Sequence, residues 1–330
     1  MKERLTYIDN LKGFLILLVV LGHVIQKMYS PEHFDNNLIF RMIYSFHMAL
    51  FFMVSGFVTK FAPISIEVLK QRLAKRFMQL VIPFIVWGIV WHFTFNETTL
   101  LGFFKSPDCS LWFLWDLFWI VVVYSVSMFL WHIFPKIPGY IWLLISLITL
   151  KLGGALLGSA YGVRGIADYY LFYCLGVIIG TYKEKILSRN NIVITGVLLL
   201  LFVLMASVWY RVPANIPEDV NQWVVLLNNN GAYRLGTRLV GCFAFLSLFY
   251  WTGNKNTKVL SYLGKRTLPI YAIHQTVIWV LAQVFINQAY LFETILGLLI
   301  SFLVVLGVSL AVMYALQLTR LTSLLFLGIK

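Results

Sequence analysis

Lys12-Gly13-Phe14-Leu15-Ile16-Leu17-Leu18-Val19-Val20-Leu21-Gly22-His23 is an unbroken apolar run closed at each end by an ionisable residue. On a helix the spacing of the two is about 1,100° of rotation, so Lys12 and His23 share one face. The rise between them is about 16 Å, close to half of a roughly 30 Å hydrocarbon core. If the run crosses a bilayer, Lys12 marks one surface and His23 lies near the midplane. Ionisable groups at that depth are costly and mark a pathway or a reaction centre.

The rest of the chain supports the bilayer reading. Of 330 residues, 60% are hydrophobic and only 12% charged, against about 25% charged in soluble domains. The fold class expected is an all-α polytopic membrane protein. Apolar windows of about 18 to 25 residues suggest about ten spans, near 11–29, 38–59, 77–95, 111–134, 140–158, 168–182, 192–210, 232–251, 267–286 and 292–318. With the N-terminus in the cytoplasm, most of the 26 Lys and Arg residues fall on the inner side, among them Lys60, Lys70, Arg72, Lys75, Arg76, Lys183, Lys185, Lys265 and Arg266. The positive-inside rule then predicts that both termini are cytoplasmic. This placement accounts for the net charge of +13, and no nucleic-acid partner is expected. The first run lacks a small-residue cleavage site and so does not read as a signal peptide. Cys109, Cys174 and Cys242 stand at unrelated spacings with no metal or redox motif, so no metal is expected and the three read as apolar fillers.

The residues that can carry chemistry are the intramembrane histidines. His47, in the second run, returns to a depth similar to that of His23, and two such imidazoles can handle protons between a hydroxyl and a leaving group. Each can also serve only as a hydrogen-bonding group within the bundle. His274 lies mid-span in the ninth run, where structural hydrogen bonding is the first reading; His92 and His132 fall near span ends, and His33 in a loop. The inner basic residues Arg72, Lys75, Arg76, Lys265 and Arg266 read either as a topology and headgroup signal or as a site for a polyphosphate-bearing donor. On the outer side, Trp112, Trp115, Asp116 and Trp119 recur at helical spacing. Aromatic faces with a carboxylate suit a sugar, although tryptophan belts at membrane interfaces are routine. Arg234 and Arg238, one helical turn apart, could pair with Asp116, Asp168 or Glu293, or contact an acceptor. Arg41, Lys151 and Arg164 join this outer layer. No nucleotide-binding loop, serine elbow, metalloprotease or paired-cysteine motif is present.

Four ordered segments resemble the membrane acyltransferase-3 family, in particular its fucose-4-O-acetylase-like branch. They are Tyr7-Ile-Asp9-Asn10-Leu-Lys12-Gly13 running on to Gly22-His23; Tyr44-Ser-Phe-His47 through Ser55-Gly56-Phe57; Lys75-Arg76-Phe-Met-Gln79-Leu-Val-Ile-Pro83; and Leu263-Gly264-Lys265-Arg266-Thr-Leu-Pro-Ile-Tyr271-Ala-Ile-His274. Lys12 and His23 match the family's Arg/Lys-x10-His element. The family's Arg-x-x-Arg ahead of the third span is replaced here by Arg72-x-x-Lys75 and Arg76-x-x-Gln79.

The resemblance implies a single integral membrane acyltransferase domain over residues 1–330, in a bacterial inner or plasma membrane. It implies transfer of an acetyl group from cytoplasmic acetyl-CoA to a hydroxyl of a cell-envelope glycan or lipid-linked saccharide, with membrane lipids as the surroundings and no permanently bound cofactor. His23 is then the expected base or acyl carrier, with His47 beside it. Lys12, Arg72, Lys75, Arg76, Lys265 and Arg266 are expected at the donor, and Asp116, Trp112, Arg234 and Arg238 at the acceptor. Asp9, Tyr44, Ser55 and His274 are expected to orient the site. The rival reading is a transporter or flippase for a saccharide, in which the same polar residues line a path; a third is a sensor or scaffold subunit of a polysaccharide synthase.

Overall fold

Inside lipid a main chain must satisfy its own polar groups, which favours helix. The computed structural model describes residues 5–29, 34–95, 111–252, 257–284 and 294–329, and every regular element among them is helical. Cys109, His33 and Glu293 lie outside the described residues. The helices are α1 (Thr6–Val24), α2 (Leu38–Tyr44), α3 (His47–Phe57), α4 (Ile66–Arg76), α5 (Ile82–Phe95), α6 (Trp112–Ile133), α7 (Gly139–Leu157), α8 (Val163–Thr181), α9 (Lys183–Leu187), α10 (Ile192–Ser207), α11 (Gln222–Asn229), α12 (Gly231–Thr252), α13 (Lys258–Gly264), α14 (Thr267–Val284), α15 (Ile295–Leu316) and α16 (Arg320–Leu327).

Nine helical segments among the described residues are long and apolar enough to cross a membrane, so the protein is an all-α polytopic membrane protein. Two adjustments to the expected spans matter. The run near 192–210 holds only the 16 residues of α10 as helix, about 24 Å at 1.5 Å per residue and short of a full hydrocarbon crossing. The first helix starts at Thr6, earlier than its apolar run, and so carries Asp9 and Lys12 within helical geometry. Two segments contain a π-helical turn, Ile25–Tyr29 after α1 and Phe77–Val81 between α4 and α5. Such turns change the facing of the residues that follow.

The chain forms two compact units, one from residues 1–51 and 182–310, the other from 52–181 and 311–330. In the first unit, α1 lies against α13 and α14. A Cβ on Gly13 would strike the Leu260 main chain, and one on Gly264 the main chain of Asp9. Only glycine permits this approach of two backbones, as small residues do at membrane helix contacts. The order of those contacts makes α1 and α13 antiparallel. The short turn at Lys265–Arg266 then sends α14 back along α1 in parallel.

In the second unit, Gly56, Gly176 and Gly180 bring α3 and α8 together, each against a carbonyl of the other helix. Tyr124 donates to the Lys60 carbonyl at 2.9 Å, and Thr59 and Tyr173 share a hydrogen bond of 3.0 Å. Lys151 pairs with Asp168 at 2.6 Å.

Candidate active site

The parallel course of α1 and α14 creates two polar levels in the first unit. At one end, the Gly264–Asp9 contact sets Lys265 and Arg266 level with Asp9 and Lys12. Arg266 folds its guanidinium over the Tyr262 ring at 3.9 Å, while Lys265 is exposed. About 16 Å further along α1, His23 meets Gln275 of α14, the equivalent climb on that helix. The cation and the imidazole of the first run thus stand on levels of their own, each completed by residues from the far end of the chain.

His23 is half-buried, whereas His47 and His274 are buried. Its Nδ1 lies 3.2 Å from Gln26 Oε1 and 3.3 Å from the Tyr44 hydroxyl, which itself lies 3.3 Å from the same Gln26 oxygen. An amide oxygen accepts only, so Nδ1–H and the Tyr44 O–H both donate to Gln26. The π-helical turn that follows α1 carries Gln26. Gln275 Nε2 is 3.1 Å from both ring nitrogens of His23. A point equidistant from the two nitrogens at that range cannot lie in the ring plane without overlapping Cε1, so the amide sits over the ring face. It steadies the ring and leaves the in-plane lone pair of Nε2 uncommitted.

A helix break supplies the second wall. The segment is interrupted at Ser45–Phe46 between α2 and α3. His47 Nδ1–H caps the Ile43 carbonyl at 2.7 Å, while Ser45 bonds back to the Met42 carbonyl. Tyr44, immediately before the break, packs on α1 at Gly22, where a Cβ would stand 2.8 Å from Cε2 of Tyr44. Its ring contacts His23 and His47, at centroid distances of 6.2 and 4.9 Å. The imidazole in direct ring contact with His23 is His274, at 5.3 Å; among the described residues His47 makes no ring contact or hydrogen bond with His23. His274 Nδ1–H donates to the Tyr271 carbonyl at 2.8 Å, and its Nε2 is buried without a hydrogen-bond partner. All three imidazoles therefore anchor Nδ1–H and direct a lone pair from Nε2. A neutral imidazole so held can act as general base or as nucleophile.

The remaining expected site residues separate by unit. Arg234 donates to the Tyr210 and Arg211 carbonyls, each at 2.9 Å, and lies over Trp209, so its guanidinium clamps the connection after α10. Arg238 follows it on α12, half-buried. In the second unit, Asp116 is buried against Gly165, where a Cβ would strike its carboxylate. Trp112 stacks on Tyr169 at 5.4 Å, and Ser55 accepts from Thr59 through its carbonyl. The basic residues of α4 differ in exposure: Arg72 and Arg76 are half-buried, within reach of Ser125 (3.5 Å) and bonded to Gln79 (3.1 Å), while Lys70 and Lys75 are exposed. Among the described residues neither arginine has a carboxylate partner. Sequence reasoning passed over Gln26, Gln275 and Arg211. Gln26, three residues after His23 on the same helix face, was the detectable signal.

A polytopic helical membrane protein with an oriented, half-buried imidazole is the class this geometry defines. The family model for an acyltransferase domain matches residues 5–315. The chain belongs to that acyltransferase-3 family and is a membrane acyltransferase. It is similar to nodulation protein NolL of Mesorhizobium japonicum, 24% identical over 328 residues that cover 92% of this chain and 83% of the relative. It is also similar to nodulation protein NolL of Sinorhizobium fredii, 28% identical over 206 residues, 59% of this chain and 53% of the relative. No solved structure matches.

Proposed function

We propose that the protein transfers an acetyl group from cytoplasmic acetyl-CoA to a hydroxyl of a cell-envelope glycan, from a cell membrane in which both termini face the cytoplasm. The observation that carries the proposal is the His23 network, in which Gln26 holds Nδ1–H and Gln275 covers the ring face. His23 Nε2 takes the proton of the acceptor hydroxyl as its oxygen attacks the thioester carbonyl. The CoA thiolate leaves and receives that proton. In the covalent variant, Nε2 first accepts the acetyl group and then yields it to the hydroxyl. His47 and His274 hold the walls of the site, and Tyr44 steadies Gln26.

On this reading the candidates for drawing the donor's phosphates are Lys12, Lys265 and Arg266 of the first unit and, taken by themselves, Arg72 and Arg76 of the second. Arginine suits phosphate through its planar fork of donors, and the half-burial of Arg72 and Arg76 without a carboxylate supports their part. Lys75, more exposed than Arg72 and Arg76 on α4, has a lesser one. Asp116 and Trp112 of the second unit and Arg238 of the first are, each by itself, candidates for the acceptor; Arg234 holds the connection that follows α10. No bound cofactor is needed, because both the acyl group and its activation arrive with the donor.

The test is incubation of the purified chain with labelled acetyl-CoA and envelope glycan. Wild type is expected to label the glycan, and His23→Ala to abolish labelling while still inserting and accumulating. Wild-type labelling by His23→Ala overturns the role of His23; no labelling by the wild type, with glycan moved intact across vesicles, favours a transporter.

A further inference from the structure

Two guanidiniums stand beside the imidazole level, and among the described residues neither is in an ion pair. On α2, Arg41 and Tyr44 are three residues apart and share a face. The connection after α10 presents Tyr210 and Arg211 to that face, in crossed pairs: Arg41 lies over the Tyr210 ring at 4.3 Å and Arg211 over the Tyr44 ring at 5.2 Å. Both cations are thereby confined to one small patch, and the ring beneath Arg211 is the one whose hydroxyl bonds Gln26 beside His23. The placement is built. Arg234 holds the Tyr210 and Arg211 carbonyls, Asn228 accepts from Tyr210 N at 2.7 Å, and the same amide donates to the Val208 carbonyl at 2.7 Å.

Among the described residues neither Arg41 nor Arg211 has a carboxylate partner; Asp35 accepts from Asn215 at 2.8 Å. Arg41 Nε is a buried donor without an acceptor, a state that is unfavourable until an acceptor arrives. Arg211 is exposed and open to a ligand. Cations held together in this way repel one another, and an oxyanion received at the exposed Arg211 relieves the repulsion.

We propose that Arg41 and Arg211 form an anion subsite beside His23, and that the acceptor carries a carboxylate or phosphate group near the hydroxyl that is acylated. This rests on the reading of His23 as the transfer centre. The subsite selects an acidic sugar unit over its neutral counterpart and orients the hydroxyl toward Nε2.

The experiment uses membranes bearing the full chain, labelled acetyl-CoA and glycan extracted from the native envelope. The labelled glycan is digested to its repeat units, and these are passed over an anion exchanger. Labelled units are expected to be retained. Arg211→Gln is expected to lower kcat/KM for the glycan by about 10- to 100-fold, the loss of one charge-assisted contact, with KM for acetyl-CoA unchanged. Arg211→Lys should recover part of it, and Arg41→Gln should act in the same direction. Raising the salt to about 0.5 M should narrow the gap between wild type and Arg211→Gln, since exposed charges are screened. Labelled units that pass unretained overturn the proposal, as does a rise in KM for acetyl-CoA instead, which would assign the anion to the donor. Failure of the wild type to transfer any label removes the underlying reading, and the subsite with it; labelled but neutral units remove the subsite alone.

Discussion

Gly22→Ala tests the link between helix packing and the His23 network. The added Cβ would stand 2.8 Å from Cε2 of Tyr44, about 0.6 Å inside an ordinary 3.4 Å contact, and 3.6 Å from Ile43. Tyr44 has little room to retreat, because Phe40 stacks on its ring at 3.9 Å and Arg211 covers it. Its hydroxyl already bonds at 3.3 Å to Gln26 and to His23 Nδ1, near the outer limit of a hydrogen bond. A shift of a few tenths of an ångström therefore breaks both contacts. Two lost hydrogen bonds at roughly 1 kcal/mol each predict about a 10- to 50-fold fall in kcat, with overpacking costing about 1–3 kcal/mol of stability. The assay is transfer from labelled acetyl-CoA by the purified chain, run for Gly22→Ala, Tyr44→Phe and the double variant. If the methyl acts through Tyr44, the double variant is scarcely slower than Tyr44→Phe. Activity within twofold of wild type in Gly22→Ala, or additive losses in the double variant, would refute the reasoning.

Other consequences follow from the same geometry. Gln26→Leu removes the acceptor that holds His23 Nδ1–H and should lower kcat by about 10- to 100-fold without changing KM for acetyl-CoA, while Gln26→Glu, which retains an acceptor, should lose less; steady-state kinetics on the three proteins decides it. Arg76→Ala should raise KM for acetyl-CoA by about 10-fold or more, whereas Lys75→Ala, at an exposed position of α4, should change it by less than about threefold; equal effects would contradict the ranking of these residues by burial. Gly264→Val should separate α1 from α13, because its Cβ meets the Asp9 main chain rather than a movable side chain. Loss of folded protein, read by size-exclusion profile and melting temperature in detergent, is expected at about 3 kcal/mol or more of destabilisation.

Much of the first unit's axis was legible in one segment. The facing and separation of Lys12 and His23 depend only on helical repeat and rise, and α1 spans both residues. The span pattern was legible for the same reason, since burial in lipid acts on segment composition. Arg234 was not legible: its position one turn from Arg238 suggests a ligand contact, yet its guanidinium is engaged by carbonyls of a connection whose path composition does not set. Nor was the break at Ser45–Phe46, which carries neither proline nor glycine and which turns His47 from a free imidazole into a cap.

From its sequence alone, the chain was legible as a helical membrane protein with a cation and an imidazole about 16 Å apart on one face of one helix, because periodicity and hydropathy are local. Only the tertiary structure decided what surrounds that imidazole. Gln275 reaches His23 across 252 positions of sequence, and Arg211 reaches Tyr44 from a connection clamped by Arg234 and Asn228. The first of these meetings arises because glycine contacts bring α1 and α13 to backbone distance and α14 returns parallel to α1, a packing outcome that no single segment encodes.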